Sequence, residues 1–407
     1  MRTVFAVTER DTPVRVLAIN SGSSSLKAAV CELGDAETCR LGLRVSRIGR
    51  AGCRLRAVDG QGACLADHEL DLADHGAALD AVLGWLGRDE IALRPDVAAH
   101  RVVHGGARYR EPTLLSPVVV AELEALVPID PDHLPQAISG MRAVERAYPG
   151  LPQVACFDTG FHRDLPMAAR TYGLPRRLTE AGMVRYGFHG LSYEYVMERL
   201  GVLDPDAAGG RVVVAHLGNG ASMAAIRDGR SVDTTMGFSP TAGLVMGTRS
   251  GDLDPGLLLY LMREQRLTPA DAGQLINRRS GLLGVSGTSE DMGDLLRREN
   301  EDPRAAEAVA LFCYQAKRYL GAYAAVLGGL DALVFTAGIG ERASLVRERI
   351  CAGLDFLGLE LDAGRNARHE SVVSTDRSRV TVRVIETNEE LMAARHARRL
   401  VAGGAGR

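Results

Sequence analysis

Three short segments rich in glycine and serine each follow an apolar run, and their residue types suit the binding of phosphate groups. They are NSGSSS (20–25), LGNGAS (217–222) and AGIGE (337–341). Small residues let backbone N–H groups come close to phosphate oxygens, and serine hydroxyls add further donors. One such segment is equally well explained as a Ser-rich turn, but three of them indicate that the chain binds a nucleotide.

The common nucleotide-binding fingerprints are missing from the sequence. The two lysines of the chain are Lys27 and Lys317, and neither follows a glycine, which excludes a GxxxxGK[ST] P-loop. No GxGxxG occurs either, so a dinucleotide-binding domain lacks its sequence signature. The phosphate-binding segments must therefore belong to another kind of nucleotide site.

Four further side chains, which the motifs of a family resemblance given below single out, could take part in phosphoryl chemistry. Arg101 in HRVVHGG and Arg249 in MGTRSGD each present a planar guanidinium, which suits both carboxylate and phosphoryl groups. An ion pair at the surface or between domains is the alternative for each arginine. His189 could equally be a core or helix-capping histidine, and Asp158 could be a turn residue.

Short β-branched runs alternate with amphipathic stretches along most of the chain. This alternation predicts an α/β protein with a substantial parallel sheet. The predicted strands lie within residues 14–19, 96–104, 154–159, 211–217, 332–338 and 380–387. The predicted helices lie within residues 70–88, 118–126, 135–147, 190–202 and 303–328.

One pattern occurs twice. RVLAINSGSSSLKAAV (15–30) and RVVVAHLGNGASMAAI (211–226) both contain a buried strand, a small-residue turn and a second strand that continues through Ala-Ala. A similar small-residue turn is predicted after the strand in LVFTAGIGE (333–341). The two matched hairpins indicate two related α/β domains that place phosphate-binding turns on opposite walls of one cleft.

Composition and charge exclude several classes of partner. A chain of 407 residues with 46% hydrophobic and 24% charged residues is typical of a globular protein with two or three domains. A net charge of −3 argues against nucleic acid or an anionic membrane as the main partner. No stretch approaches the ~18 apolar residues of a spanning helix, and charges interrupt the start, so neither an anchor nor a signal peptide is expected.

The seven cysteines form no CxxC pair and show no Cys/His spacing typical of a metal site. In a large chain without a predicted signal peptide, such cysteines are expected to be reduced. The sequence therefore predicts structural thiols and a cytoplasmic protein.

Eight motifs, taken together, are similar to those of one known family. In chain order they are NSGSSSLK (20–27), HRVVHGG (100–106), FDTGFH (157–162), YGFHG (186–190), HLGNGAS (216–222), MGTRSGDLDPG (246–256), FTAGIGE (335–341) and TNEELMAAR (387–395). The sequence resembles the acetate kinase family, within the acetate and sugar kinase/Hsc70/actin superfamily. The resemblance extends from about residue 14 to about residue 400.

The resemblance implies an α/β fold of two duplicated ribonuclease H-like (actin/Hsc70-type) domains with a central active-site cleft. Residues 1–13 would form an N-terminal extension. Residues 14–158 would form the first domain, closed by the C-terminal segment 385–407. Residues 159–384 would form the second domain, with nucleotide-binding and dimerisation roles.

The resemblance also implies roles for the catalytic residues. Arg101 and Arg249 would bind substrate and stabilise the transition state, and His189 would donate to the phosphoryl oxygens. Asp158 would be the catalytic aspartate. Because acetate is already ionised at pH 7, we expect Asp158 to orient a metal, a water molecule or the arginines rather than to remove a proton.

By the same resemblance, Asn20 and Glu389 would be the ligands of Mg²⁺ or Mn²⁺. One carboxylate and one amide oxygen suit magnesium, which also binds nucleotide phosphates and water. The Gly22–Ser25 segment would face phosphate, and Lys27 would bring a positive charge to the same oxygens.

Substrate and nucleotide contacts can be assigned in the same way. Val103, Ile129 and Pro240 would line a small apolar pocket for a methyl group, and Arg101 would bind the carboxylate. The residues implied to bind ATP or ADP, besides Lys27, are His216, Leu217, Gly218, Asn219, Gly220, Asp291, Met292, Gly293, Gly338, Ile339, Gly340, Glu341 and Arg342.

Two segments depart from the family pattern. After ALVP the family usually has Leu-His-Asn-Pro, whereas this chain has IDPDH (129–133), so the usual histidine is replaced by Asp130 or displaced to His133. The segment near the nucleotide usually ends in Asp-Met/Phe-Arg, whereas this chain has DMG (291–293). The loss of a cation at Gly293 predicts weaker or broader nucleotide selectivity.

These observations predict a cytoplasmic kinase that transfers a phosphoryl group directly between ATP and acetate, giving acetyl phosphate and ADP. A propionate or other short-chain acyl kinase is one alternative, and a nucleotide-binding regulatory protein without kinase activity is another. A sugar kinase could use Asp158 as a general base, but the two arginines favour a carboxylate substrate. The resemblance further implies a homodimer.

Overall fold

The computed structural model describes residues 13–22, 25–88 and 93–404 of the chain. The chain divides into two compact units. The first unit runs to Phe157 and also includes the segment from Glu389 onward, and the second unit is Asp158–Asn388.

Strands and helices alternate as the sequence predicts. The strands are β1 (Val14–Ser21), β2 (Ser25–Leu33), β3 (Glu37–Ser46), β4 (Arg54–Asp59), β5 (Cys64–Glu69), β6 (Val97–Val102), β7 (Thr113–Leu114), β8 (Gln153–Phe157), β9 (Arg211–Leu217), β10 (Ala221–Arg227), β11 (Arg230–Thr234), β12 (Ala332–Thr336) and β13 (Thr381–Val384). The α-helices are α1 (His75–Leu86), α2 (Pro117–Ala125), α3 (Leu134–Ala147), α4 (Met167–Arg170), α5 (Arg176–Glu180), α6 (Gly190–Leu203), α7 (Pro205–Ala208), α8 (Pro255–Glu264), α9 (Pro269–Arg278), α10 (Gly281–Ser286), α11 (Met292–Arg298), α12 (Pro303–Leu327), α13 (Ala337–Arg342), α14 (Ser344–Cys351), α15 (Ala363–Ala367) and α16 (Glu389–Gly404). Each of the six predicted strands and five predicted helices is confirmed.

Each unit is built on one mixed sheet. The sheet of the first unit has the order β5-β4-β3-β2-β1-β6-β8-β7, in which β1, β6 and β8 are parallel. The sheet of the second unit has the order β11-β10-β9-β12-β13, in which β9, β12 and β13 are parallel. Both sheets therefore contain an antiparallel three-strand meander. Its first strand pairs with one parallel strand, which in turn pairs with a second parallel strand.

The shared strand order supports the predicted duplication. The two hairpins predicted at 15–30 and 211–226 are confirmed, because β1 pairs with β2 and β9 pairs with β10 in antiparallel register. The strands of the meander are adjacent in sequence, with only two or three residues between one strand and the next. The parallel strands are separated by helices, as crossover connections require.

The prediction of a third small-residue turn at AGIGE was wrong. The segment forms helix α13, which starts at Ala337 with a positive φ of 63°. The strand that follows β12 in the sheet is β13, which runs parallel to β12. A parallel neighbour cannot be reached by a hairpin, so the chain turns into a helix at this point.

The division into units differs from the predicted domain boundaries by a few residues. Asp158 and residues 385–388 belong to the second unit, whereas the sequence placed them in the first domain. The Asp158 carbonyl accepts a hydrogen bond from Gly190 N at 2.8 Å, and Ile385 lies in the core beside β9 and β12. Contacts that the sequence does not reveal therefore decide whether each of these segments belongs to the first or the second unit.

Helix α16 brings the C-terminal segment onto the first sheet. Its Met392, Ala393, Ala394 and Ala397 are buried, and it packs against β1, β2, β6 and β8. On the strands, residues such as Val16 and Ala18 are completely buried, and so is Ala99. Small side chains on both elements let helix and sheet approach closely, which positions the first turn of α16 at the end of β1.

The prediction that all cysteines are reduced was wrong for one pair. Cys31 and Cys39 lie opposite each other on β2 and β3 and form a disulfide. The pairing depends on strand register, so an eight-residue separation in sequence did not reveal it. Cys53, Cys156, Cys313 and Cys351 are buried free thiols, as predicted, while the free thiol Cys64 is exposed. Because disulfides are rare in reducing compartments, cysteine usage no longer supports a cytoplasmic location.

Among the described helices, none combines the length and the apolar character that crossing a membrane would require.

The buried histidine His100 makes the stability of the first unit depend on pH. Its Nε2 donates to Gln153 Oε1 at 2.7 Å across β6 and β8, and burial lowers its pKa to about 4. The native ring therefore stays neutral as pH falls from 6.5, whereas the unfolded chain takes up a proton. His100 should cost up to about 3 kcal/mol of stability between pH 6.5 and pH 4.

Urea unfolding measured across this pH range tests the prediction. His100→Gln should show a shallower loss of stability towards pH 4 than the unaltered protein, even though it is less stable at pH 7. His68→Gln, at an exposed position of β5, is the matched control and should keep the original slope. Equal slopes for His100→Gln and the unaltered protein would contradict the role of His100.

Candidate active site

The first unit brings Asn20, Arg101 and Glu389 together. Arg101 Nη1 donates to Asn20 Oδ1 at 3.0 Å and lies 3.2 Å from Glu389 Oε2. Asn20 Nδ2 in turn donates to Glu389 Oε2 at 2.9 Å and to Glu390 Oε1 at 3.1 Å. Asn20 is 6% exposed and Glu389 is 9% exposed, so the polar groups of this cluster are largely removed from water.

Strand register explains this cluster. Ile19 on β1 lies opposite His100 on β6, so the next residues along the parallel strands, Asn20 and Arg101, are also neighbours. Glu389 begins α16, where an acidic side chain interacts favourably with the helix dipole. Two strand ends and one helix start thus meet at one edge of the sheet.

The turn after β1 is held by hydrogen bonds within the first unit. Gly22 N donates to Ser25 O at 2.8 Å, and His75 Nε2 donates to Gly22 O at 2.6 Å. Lys27 lies opposite Asn20 in the β1–β2 register and is exposed. Ser23 and Ser24, which the sequence assigns to phosphate binding, lie outside the described residues.

The donor set of this cluster fits Mg²⁺. Glu389 supplies a carboxylate and Asn20 an amide oxygen, which are hard oxygen ligands, and Glu390 adds a second carboxylate. Within the described part of the chain, no group of three or more His, Cys, Asp and Glu side chains is arranged to hold a metal. Magnesium itself commonly takes few protein ligands and completes its coordination with phosphates and water.

The first departure from the family pattern forms a side-chain pair. Asp130, 3% exposed, contacts His133 through an Oδ1–Nδ1 distance of 2.7 Å. Its other oxygen, Oδ2, is buried and has no hydrogen-bond partner among the residues that the structure describes. The neighbouring Ile129 is half-buried, and Val103, just beyond β6, is buried.

In the second unit, the backbone brings Asp158 and His189 close together. Gly190 N donates to Asp158 O at 2.8 Å, and a Cβ at position 190 would lie only 2.3 Å from that oxygen. Residue 190 must therefore be glycine. His189 precedes it at the start of α6 with a positive φ of 60°, an uncommon conformation for a residue with a side chain.

A buried histidine supports this turn. His162 Nε2 donates to Phe188 O at 3.0 Å, and its Nδ1 lies 2.7 Å from Ser231 Oγ. Burial lowers the pKa of His162 to about 4, so its ring is neutral at neutral pH. The FDTGFH motif thus contributes a structural histidine that fixes the residue preceding His189.

The ring of His189 lies at the LGNGAS turn. Its Nδ1 is 2.8 Å from Ser222 Oγ, and the ring stacks on His216 with 4.1 Å between centroids. A Cβ at Gly220 would lie 3.4 Å from His189 Nε2 and 3.7 Å from Arg249 Nη1. An imidazole and a guanidinium therefore converge on Gly220, where the absent side chain leaves room for about one methyl group.

Arg249 is held beside a residue predicted to line the acyl pocket. Its Nη1 donates to the carbonyl oxygen of Pro240 at 3.0 Å. The guanidinium is half-buried, which strengthens its interaction with an anion relative to one in bulk water.

Two of the three segments predicted to bind phosphate meet at one edge of the second sheet. His216 on β9 lies opposite Thr336 on β12, so Leu217–Gly220 and the start of α13 leave the sheet side by side. A Cβ at Gly218 would lie 3.6 Å from Ala337 Cβ. The structure thus brings together predicted nucleotide residues that are more than a hundred positions apart.

Helix α13, which contains Gly338, Ile339, Gly340, Glu341 and Arg342, is tied to its surroundings by polar contacts. Arg347, which is completely buried, donates to the carbonyl oxygens of Gly340 at 2.8 Å and Glu341 at 2.9 Å. Burial lowers the pKa of Arg347 to about 10, so it remains charged at neutral pH. Glu341 Oε1 accepts a hydrogen bond from Thr387 N at 3.1 Å.

The DMG segment lies at the start of α11. Asp291 caps this helix by accepting from Asp294 N at 2.8 Å, and Met292 is buried. A Cβ at Gly247 would lie 1.8 Å from Asn219 Oδ1 and 3.3 Å from Glu290 O, so this glycine separates the LGNGAS turn from the residue before Asp291. All three segments are neighbours within the second unit.

Several residues that hold these side chains were not predicted from the sequence. Glu390 contacts Asn20, Ser222 and Tyr193 support His189, Ser192 supports His216, and Arg347 supports α13. Ser222 and Glu390 lie inside the quoted motifs, which was the available signal. Tyr193, Ser192 and Arg347 have no such signal, because their roles depend on contacts between distant segments.

Comparison with known proteins gives a consistent result. Residues 15–395 match the Acetokinase family. The chain is 46% identical over 399 residues to acetate kinase from Rhodopseudomonas palustris, covering 96% of this chain and 99% of that protein. It is 44% identical over 396 residues to acetate kinase from Streptomyces coelicolor, covering 95% of this chain and 97% of that protein.

Solved structures agree with the sequence match. Acetate kinase from Porphyromonas gingivalis is similar with a TM-score of 0.84 and 37% identity, covering 95% of this chain and all of that chain. A propionate kinase from Francisella tularensis is similar with a TM-score of 0.88 and 32% identity, covering 95% of this chain and 99% of that chain. The predicted fold of duplicated actin-like domains is therefore confirmed. The chain belongs to the acetokinase family.

Proposed function

We propose that this protein transfers the γ-phosphoryl group of ATP to acetate, reversibly, giving acetyl phosphate and ADP. Within the acetokinase family, the observation that carries the proposal is the convergence of His189 Nε2 and Arg249 Nη1 on Gly220, where a Cβ would lie 3.4 Å and 3.7 Å from them. This pair of donors lies beside two strand ends whose small residues suit phosphate binding. No residue needs to become phosphorylated, because the carboxylate can attack the phosphoryl group directly.

The chemistry explains why cationic donors outnumber candidate bases. Acetate is ionised at pH 7, so the reaction needs no strong general base. Its difficulty is to bring two anions together and to stabilise charge on the equatorial phosphoryl oxygens. Arg249 and His189 would donate to those oxygens, Arg101 would bind the carboxylate, and Asp158 would orient the groups around it.

We propose Asn20 and Glu389 as the residues that hold Mg²⁺. The metal, when bound, supplies positive charge that neutralises phosphate oxygens. Arg101 contacts both residues, so it is positioned by the same polar cluster. Lys27, opposite Asn20 on β2, would add charge at this edge of the first sheet.

The nucleotide is proposed to contact the segments gathered at the edge of the second sheet. These are residues 216–220, 291–293 and 338–342. Their support is the register of β9 with β12 and the short separation of Asn219 from Glu290 around Gly247.

Val103, Ile129 and Pro240 are proposed to line the pocket for the acyl chain. Their small apolar side chains suit a methyl group, but one extra methylene changes affinity by only about 1–3 kcal/mol. A propionate kinase is the second candidate, and the similarity to the Francisella tularensis propionate kinase supports it.

Trapping of acyl phosphate as a hydroxamate, with ATP and Mg²⁺, tests the proposed function and the choice of acid. We expect product from acetate, less from propionate and little from butyrate. A preference for butyrate of about tenfold in kcat/KM, about 1.4 kcal/mol, would contradict the acetate assignment. Binding of ATP without product from any acid would instead support a regulatory nucleotide-binding protein.

Gly220→Ala tests the role of the methyl-sized space that His189 and Arg249 border at Gly220. The added methyl group fits without a clash at 3.4 Å but occupies the region where a phosphoryl oxygen would approach. We expect kcat/KM to fall about tenfold or more with little change in thermal stability. Gly201→Ala in α6, whose new methyl group would meet nothing within 4 Å, is the matched control and should keep full activity. Full activity of Gly220→Ala would contradict the assignment.

We also propose that the protein is a homodimer, with α8 in the interface. None of the residues in this helix is buried, and Leu257, Leu259 and Tyr260 are 45%, 65% and 53% exposed. A cluster of exposed apolar side chains of this kind is typical of interaction surfaces.

Light scattering coupled to size-exclusion chromatography tests this assembly. The unaltered protein should have twice the chain mass of 43.5 kDa, and Leu259→Asp should shift it towards 43.5 kDa. Val202→Asp, at an apolar position on α6 that is 73% exposed, should leave the mass unchanged. A monomer without any substitution would refute the dimer, and a Leu259→Asp variant of unchanged mass would exclude α8 as the interface.

A further inference from the structure

A buried hydrogen-bond chain leads to the catalytic face of His189. Tyr193 on α6 places its hydroxyl 2.5 Å from Ser222 Oγ on β10, and that oxygen lies 2.8 Å from His189 Nδ1. Tyr193 and Ser222 are completely buried, and His189 is 8% exposed. Water is thus not available to complete the hydrogen bonds of the first two residues.

The available hydrogens determine the direction of this chain. Within the described part of the structure, Ser222 Oγ is the acceptor that the Tyr193 hydroxyl contacts, so the phenol donates to it. Burial raises the pKa of Tyr193, which keeps the phenol protonated. Ser222 then has one hydrogen of its own, and its second contact is His189 Nδ1.

Matching each hydrogen with an acceptor also selects one tautomer of the His189 imidazole. If His189 carried its hydrogen on Nδ1, Ser222 Oγ would receive two donors and its own hydrogen would have no acceptor in a buried position. If Nδ1 is unprotonated, the Tyr193 and Ser222 hydroxyl hydrogens each have an acceptor. The remaining N–H is then on Nε2, the atom that faces Gly220.

A parallel chain supports this interpretation. The Thr387 hydroxyl donates to Ser192 Oγ at 2.8 Å, and Ser192 Oγ lies 2.8 Å from His216 Nδ1. Ser192 is completely buried, so its hydrogen is directed to His216 Nδ1 by the same reasoning. Two stacked imidazoles therefore both have a hydroxyl donor on Nδ1 and an N–H on Nε2.

We propose that Tyr193 and Ser222 are positioning residues that fix His189 as the Nε2–H tautomer, ready to donate to a phosphoryl oxygen. This inference rests on the proposed function for its catalytic consequence, although the tautomer itself does not depend on it. Neither residue touches the substrate. Each would act by removing the alternative in which the imidazole presents a lone pair to the phosphate and repels it.

Kinetics of Tyr193→Phe provides the first test. The substitution removes one oxygen and keeps the ring, so Ser222 becomes free to turn and accept from Nδ1–H. We expect kcat to fall about tenfold while KM for acetate and ATP stays within about twofold. Tyr323→Phe is the matched control, because the Tyr323 hydroxyl is also buried but has no hydrogen-bond partner in the described part of the chain. This variant should retain full kcat.

A double-mutant cycle separates a chain of contacts from two independent effects. Tyr193 acts through Ser222, so Tyr193→Phe combined with Ser222→Ala should be no slower than Ser222→Ala alone. It should also be more stable than Ser222→Ala, because the phenol is no longer left without an acceptor. Losses of kcat that add in the double variant would overturn the proposal.

Long-range proton–nitrogen NMR correlations of the histidine rings test the tautomer without any activity. The His189 signals, identified by their loss in His189→Gln, should show an unprotonated Nδ1 in the unaltered protein and a mixed pattern in Tyr193→Phe. An Nδ1–H ring in the unaltered protein, or an unchanged tautomer in Tyr193→Phe, would overturn the proposal. A protein that makes no acyl phosphate but shows the Nε2–H form would refute the proposed function while leaving the tautomer assignment intact.

Discussion

Ile19 lies opposite His100 in the first sheet, and Thr336 lies opposite His216 in the second. Both pairs join the first strand of an antiparallel meander to the parallel strand that follows it, and both lie where those strands end. Parallel strands present their carboxyl ends at the same sheet edge, so polar residues that follow them become neighbours. The candidate site depends on this constraint, because it brings Asn20 to Arg101 and the LGNGAS turn to the start of α13.

The same topology carries different chemistry in the two units. In the first, the strand ends carry an amide, a guanidinium and carboxylates, a set suited to a metal ion and a carboxylate substrate. In the second, they carry glycines and stacked imidazoles, which suit phosphate oxygens. A duplicated fold can diverge in this way because the residues after a strand end are not needed for the core.

Buried polar side chains give the second unit much of its precision. Arg347 bonds the carbonyl oxygens of α13, His162 bonds the carbonyl before His189, and Ser222 bonds the ring of His189 itself. A buried polar group without a partner is costly, so each of these contacts has few alternative arrangements. Precision also depends on the absence of a side chain. At Gly190 any Cβ would collide with the Asp158 carbonyl, so glycine is required there.

Much of this protein was predictable from its sequence. Local patterns sufficed for the alternating strands and helices, and the paired motifs at 15–30 and 211–226 sufficed for the duplication, because hydrophobic periodicity and turn residues act over short distances. The family motifs led to Arg101, His189, Arg249, Asn20 and Glu389, each of which the structure joins to another predicted residue. The tertiary structure alone decided that AGIGE starts a helix, that Cys31 meets Cys39, and that Tyr193 and Ser222 hold His189. These features depend on strand register and on contacts between segments far apart in the chain. Apart from the motif that contains Ser222, one sequence without its fold contains no local signal for them.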